Sequence, residues 1–130
     1  MSPLPITTLL TSGLALWFLI LTWRVIKGRQ ASGVSLGDGD NAMLIRRNRA
    51  QGNLVEFAPF FILLIALAEL AGGNGLILSI LSVAFFLARL AHGWALSYSD
   101  HSPAGRIGGA SVTLITLALA ALYNLWLVLG

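Results

Sequence analysis

Three polar side chains stand at helical spacing in a chain that is otherwise strongly apolar. Arg49, Asn53 and Glu56 occupy positions i, i+4 and i+7. At about 100° per residue they share one stripe within about 60° of arc. Arg89 and His92 lie one turn apart farther along, and Arg106 stands near the start of the last apolar stretch. A guanidinium offers a planar fork of donors that suits a carboxylate, and a carboxylate suits an ammonium. The ligand that matches this set is a small zwitterion carrying carboxylates, next to an apolar partner. The same residues also have a structural reading. Glu56 and Arg89 would then be a buried ion pair, His92 a packed histidine, and Arg46 and Arg47 anchors whose heads snorkel to water.

The elements that hold these groups follow from composition. Of 130 residues, 57% are hydrophobic and 10% charged, with a mean hydropathy of +0.84. Soluble domains carry roughly 25% charged residues. So few charges cannot cover a surface facing water, and lipid is the solvent this chain suits. The absence of cysteine excludes a disulfide framework, a thiolate nucleophile and a cysteine-ligated metal. His92 and His101 lack a supporting ligand pattern, so no metal is expected. The sequence pI near 10.2 raises the question of nucleic acid. The basic residues cluster at helix ends, however, as topology signals do, and no nucleic-acid partner is expected.

A membrane span needs about 20 largely apolar residues. That rule predicts an all-α protein, a single domain over residues 1–130, with helices at about 4–27, 43–71, 75–98 and 105–129. The N-terminal stretch has no basic region and no clear cleavage site, and reads as the start of the first span. Gly28 to Asn41 reads as a loop, Gly72-Gly73-Asn74-Gly75 as a tight turn, and Ser99 to Pro103 as a break. Pro59 predicts a kink in the second helix that opens space beside Glu56. Trp17, Trp23, Trp94, Tyr98, Tyr123 and Trp126 read as an interfacial belt. Arg24, Lys27, Arg29, Arg46, Arg47 and Arg49 flank the first loop and Arg106 the third, whereas the other side carries no Lys or Arg. The positive-inside rule then puts both basic loops in the cytoplasm and both termini on the opposite side of the membrane.

Ionisable groups within a span are functional candidates by default. Counted from the shared turn at 1.5 Å per residue, Glu56 and Arg89 both lie about 21–23 Å from it, level with each other. Pairing would offset much of the penalty of burying either charge. By the same count Asn53 falls level with His92, and Arg49 with Ser97 and Tyr98. The polar groups converge on the half of the bundle that carries the basic loops.

The run Arg49-Ala50-Gln51-Gly52-Asn53-Leu54-Val55-Glu56-Phe57-Ala58-Pro59 resembles the signature R-A-Q/H-x-N-x-x-E-x-x-P. That signature marks the membrane-associated proteins in eicosanoid and glutathione metabolism (MAPEG). Val25-Ile26 with Arg29, the segment Phe86 to Leu90 around Arg89, and the Arg opening the fourth helix also match. The resemblance spans nearly the whole chain in length and topology. It implies a homotrimer of four-helix subunits with glutathione held between neighbours on the cytoplasmic side, so a site can draw residues from two chains. Carried over, Arg49, Asn53 and Glu56 hold the γ-glutamyl end, Gln51 contacts the tripeptide, and Arg29 binds the glycine carboxylate. Arg106 stabilises the thiolate, while Arg89 matches a mainly structural Arg. A guanidinium beside a thiol favours the thiolate, which is the nucleophile. Phe57 stands where several members have Tyr, and His92 and Leu96 replace Tyr of the leukotriene synthase pattern. His92 can still donate a hydrogen bond to a ligand.

The expected function is a glutathione-dependent transferase, with peroxidase activity as a further expectation, acting on a lipophilic electrophile in detoxification. Glutathione serves as co-substrate, and membrane lipid surrounds the protein. The alternative is a non-enzymatic member that binds lipid or another small molecule. A small proton-coupled transporter is the third reading. Such transporters carry their essential Glu in the first helix, and here that helix has no acid.

Overall fold

A computed structural model describes residues 3–99 and 102–130; the break residues Asp100 and His101 lie outside them. Four helices follow in order: α1 (Pro5–Ser32), α2 (Ala42–Leu70), α3 (Gly75–Ser97) and α4 (Pro103–Leu129). Each is long and apolar enough to cross a membrane. No strand occurs among the described residues. α2 and α3 form the middle of the bundle and contact each other. α1 packs on both, α4 packs on both, and α1 and α4 do not pack together.

The helix limits show which local signals win. α1 runs on through Gly28 and Arg29, where the sequence predicted loop, and ends at Gly33 with φ 69°. Only glycine adopts that left-handed cap without strain. Gly28 stays helical because it packs closely on α2: a Cβ there would lie 3.2 Å from both Leu44 and Arg47. Pro103 opens α4 within its first turn, where a missing N–H is harmless, and Ser102 caps it by accepting from the Gly105 N–H. The α2–α3 turn forms as the glycines predict. Gly72 takes φ 76°, and the Gly73 N–H returns to the Ala68 carbonyl at 2.8 Å. Asn74 then caps α3 by accepting from Leu76 and Ile77. α2 continues as helix through Pro59. An apolar hollow of about 210 Å³ lies beside Pro59 between α1 and α2, bounded by Leu14, Phe18, Leu54 and Ala58, on a different face of α2 from Glu56.

In hydrocarbon, burying apolar area against a neighbouring helix gains little, and close packing and hydrogen bonds carry the association instead. Phe61 of α2 stacks on Phe85 of α3 with ring centroids 3.9 Å apart, both fully buried. Asn124 of α4 donates to the Leu64 carbonyl of α2 at 2.9 Å. Trp17 is buried, unlike the belt residue expected, and its indole N–H donates to the Arg89 carbonyl at 3.2 Å. Gly93 makes room for that ring, since a Cβ there would lie 2.9 Å from the indole nitrogen. The α3–α4 seam closes at Gly109, where a Cβ would meet the Ala88 carbonyl and the His92 Cβ at 2.8 Å.

At the turn end Glu69 has a defined task. Leu4 at the N-cap of α1 has no side chain able to accept a hydrogen bond. The Glu69 carboxylate of α2 supplies the acceptor, taking the Ile6 N–H and Thr7 N–H at 2.9 Å and the Thr7 hydroxyl at 2.7 Å. A helix N-terminus favours a carboxylate both by hydrogen bonding and by its dipole.

Two stability predictions follow from these contacts. Gly109→Ala should lower the detergent melting temperature, whereas Gly108→Ala, with open space around its Cα, should hold or raise it through helix propensity of about 0.8–1.0 kcal/mol. Glu69→Ala should destabilise by about 1–3 kcal/mol, because two backbone donors of α1 lose their acceptor. Thermal unfolding followed by circular dichroism checks both.

Candidate functional site

The polar residues gather at the end of the bundle where the α1–α2 loop meets the start of α4. Arg49 and Glu56 lie along one face of α2 and pair at 3.7 Å, with side chains 61% and 54% exposed in the single chain. Asn53, between them, is half-buried and accepts from Arg89 Nη1 of α3 at 2.6 Å. Arg89 is 2% exposed, and its Nε and Nη2 have no hydrogen-bond partner among the described residues. The Phe57 ring lies 5.6 Å from its guanidinium carbon. His92, one turn away and 6% exposed, sits on the seam with α4. α2, α3 and α4 thus each contribute an arginine, Arg49, Arg89 and Arg106, to this end of the bundle.

This arrangement corrects the expected Glu56–Arg89 ion pair. Arg89 bonds Asn53, and Glu56 pairs with Arg49. Rotation about the helix, and not depth alone, decides the partners. Leu54, 4% exposed, marks the core-facing side of α2. Glu56 lies about 160° round the helix from it and Asn53 only about 100°. Glu56 therefore points outward while Asn53 reaches α3. Asn53 meets Arg89 instead of His92 for the same reason. Ser97 and Tyr98 meet Arg24 of α1, not Arg49. Arg24 donates to the Ser97 carbonyl at 2.6 Å and stacks 3.9 Å over the Tyr98 ring.

The remaining candidates lie on other faces. Gln51 donates to the Thr22 hydroxyl of α1 at 2.8 Å. Arg29 donates to the carbonyls of Ser35 at 3.3 Å and Gly37 at 2.8 Å, bracing the loop that follows its own helix. Arg106 is exposed and, with Arg46, Ser99 and Ser102, lines a polar groove of about 260 Å³. Arg47 is no free snorkelling anchor: its Nη1 donates to the Arg24 carbonyl at 2.8 Å and ties α2 to α1. This Arg24–Arg47 latch escaped sequence reasoning. Its only sequence signal is a pair of arginines at the facing ends of two spans. Among the described residues no group of three metal-ligating side chains forms.

A guanidinium buried in the bundle with one neutral acceptor is a charge waiting for compensation. Asn53→Leu should lower stability by about 2–3 kcal/mol, since the buried charge loses its acceptor. Combining it with Arg89→Leu should restore most of the loss. Melting temperatures of the two single variants and the double variant in detergent test this coupling.

Comparison with known proteins places these residues in a wider group. The model of the MAPEG family matches residues 7–126. Inner membrane protein YecN of Escherichia coli K12 is 30% identical over 112 residues, covering 86% of this chain and 84% of its own length. YecN of E. coli O6:H1 (strain CFT073) matches to the same extent.

Proposed function

The chain belongs to the MAPEG family, and we propose that it is a glutathione-dependent membrane transferase that joins the glutathione thiolate to a lipophilic electrophile. The observation that carries this reading is the gathering of Arg49, Asn53, Glu56 and Arg89, bonded in two pairs, at the end of the bundle where Arg106 opens α4. Such a cluster fits a small polycarboxylate with one ammonium. Glutathione has that pattern of charge and also carries the nucleophile that a chain without cysteine lacks.

On this reading Arg49, Asn53 and Glu56 hold the γ-glutamyl end, Arg29 the glycine carboxylate and Gln51 the tripeptide backbone, while His92 donates a hydrogen bond. Arg106 faces the sulfur and stabilises the thiolate as its proton leaves to water. The thiolate then forms a carbon–sulfur bond with the electrophile, whose leaving group departs or whose oxygen takes up a proton. A hydroperoxide in place of the electrophile would give the peroxidase form of the reaction.

Geometry supports a site shared between copies. Gln51 and Asn53 are two residues apart, so they project about 160° apart on α2. Gln51 touches α1 and Asn53 touches α3. One chain cannot aim both into one cleft, whereas two neighbours meeting face to face can. An Arg49–Glu56 pair left facing hydrocarbon would be expensive, and a neighbouring copy would cover it. The homotrimer of the family is the assembly we propose. The inner-membrane relative YecN supports the same location here, with the basic loops cytoplasmic.

A non-enzymatic binding role is the second reading. Phe57 favours it, because its ring, rather than a hydroxyl, faces Arg89, and Leu96 offers no hydrogen bond either.

Calorimetric titration of the detergent-solubilised protein with glutathione tests the proposal. We expect saturable binding that Arg49→Ala weakens about tenfold or more, the loss of one charge-assisted hydrogen bond being about 1.5–3 kcal/mol. Arg106→Ala should keep binding but lose thiolate absorbance. No saturable binding by the unmodified protein would refute the glutathione reading, and binding without conjugation of any electrophile would favour the second.

A further inference from the structure

Arg89 can only donate hydrogen bonds, and that fixes more than its own place. A guanidinium carries N–H donors and no acceptor, whereas a carboxamide has an oxygen that accepts and a nitrogen that donates. The Asn53 atom that Arg89 Nη1 meets at 2.6 Å is therefore the oxygen. The reverse orientation would set N–H against N–H, beside a charge whose Nε and Nη2 have no partner among the described residues. Arg89 is also held in place. It is buried, its carbonyl accepts from Trp17, and the Phe57 ring lies 5.6 Å from its guanidinium carbon. Asn53 is half-buried, and its Nδ2 holds no hydrogen bond among the described residues.

We propose that Arg89 is a positioning residue: by holding the Asn53 oxygen it makes Asn53 a hydrogen-bond donor toward the ligand, and so selects which end of a zwitterion lies against it. A ligand ammonium brought to the same oxygen would stand beside the guanidinium and be repelled. Asn53 therefore reads an acceptor. Arg49, one turn before it on the same stripe, is likewise donor-only, while an ionised Glu56 only accepts. The stripe thus runs donor, donor, acceptor along α2. Once the Arg49–Glu56 pair opens, it suits a carboxylate lying toward Arg49 and Asn53 and an ammonium lying toward Glu56. A carboxylate and an ammonium on one carbon are the α-amino acid end of a ligand. The lock itself follows from the Arg89–Asn53 contact alone. Its ligand-facing half rests on the transferase reading, in which this stripe holds the γ-glutamyl end.

Two variants of the full chain in detergent separate this role from a purely structural contact. Asn53→Asp keeps an oxygen for Arg89 and removes the donor. Its melting temperature should hold or rise, while glutathione affinity, titrated calorimetrically, should fall about tenfold or more. A contact that served folding alone would leave affinity to follow stability. Retained or tighter binding by Asn53→Asp would overturn the donor role. The second measurement does without glutathione. Asparagine labelled with 13C at Cγ reports the partner of its oxygen, since a hydrogen bond to the carbonyl moves that carbon downfield. The Asn53 signal, identified by its loss in Asn53→Asp, should move upfield in Arg89→Met, which fills similar space without a donor. A Cγ shift indifferent to Arg89→Met would overturn the lock. If the unmodified protein binds no glutathione, the transferase reading falls and the ligand-facing half falls with it, while the carbon shift still decides whether Arg89 holds the amide.

Discussion

Hydrocarbon offers no hydrogen bonds, so every polar group that enters it must bring its own partner, and this single constraint orders the whole chain. The far half of the bundle is mostly apolar, and polar side chains there such as Thr7 and Asn124 are hydrogen-bonded. Its one described charge, Glu69, is tied to the first backbone donors of α1. All eight cations lie in the other half or at its edge. Helix ends, which expose four donors or acceptors each, are closed by Asn41, Asn74, Ser102 and Glu69. Without those closures the same apolar segments would have no reason to stop where they do.

Within that frame Arg89 is the exception that gives the interior its order. It is nearly inaccessible, yet among the described residues its side chain holds one hydrogen bond, to Asn53. The carbonyl of the same residue accepts from Trp17. One position on α3 is thereby bound to α1 through its backbone and to α2 through its guanidinium. Gly93 and Gly109 flank it on either face of α3 and let Trp17 and α4 come close. Small residues and one charged residue do complementary work here. The glycines permit approach, and the hydrogen bonds select which approach is made.

Span number, the α2–α3 turn and the gathering of polar groups at one end are all legible from the sequence, because they depend on composition and on distance along a helix. What depends on rotation about a helix was harder to read. Counting residues brings Glu56 level with Arg89, but rotation turns Glu56 away and presents Asn53. Trp17 looked like any other interfacial aromatic, and only the absence of a side chain at Gly93, on another helix, makes room for it inside. Gly28 looked like a loop residue because glycine is a poor helix former, yet the gap it leaves for Leu44 and Arg47 outweighs propensity. The Glu69 cap was invisible for a related reason: its partners lie more than sixty residues away in sequence, and capping rules look only a turn ahead.

The rotation argument also bears on how a site could form at all. Along α2, Gln51 is held against α1 and Asn53 against α3, while Arg49 and Glu56 face out of the chain. These four residues come from two turns of one helix, yet they look in three directions. If they serve one ligand, as the proposed transferase requires, the ligand must lie where the outward face of one α2 meets the α1 side of another. The chain would then keep Arg49 and Glu56 paired with each other until a neighbour and a ligand arrive. A pair held at 3.7 Å and still half exposed is loose enough to open for that exchange. A tight, fully buried pair would have been better for a lone subunit and worse for binding. The weak contact is thus the form expected of residues whose final partners are not in their own chain.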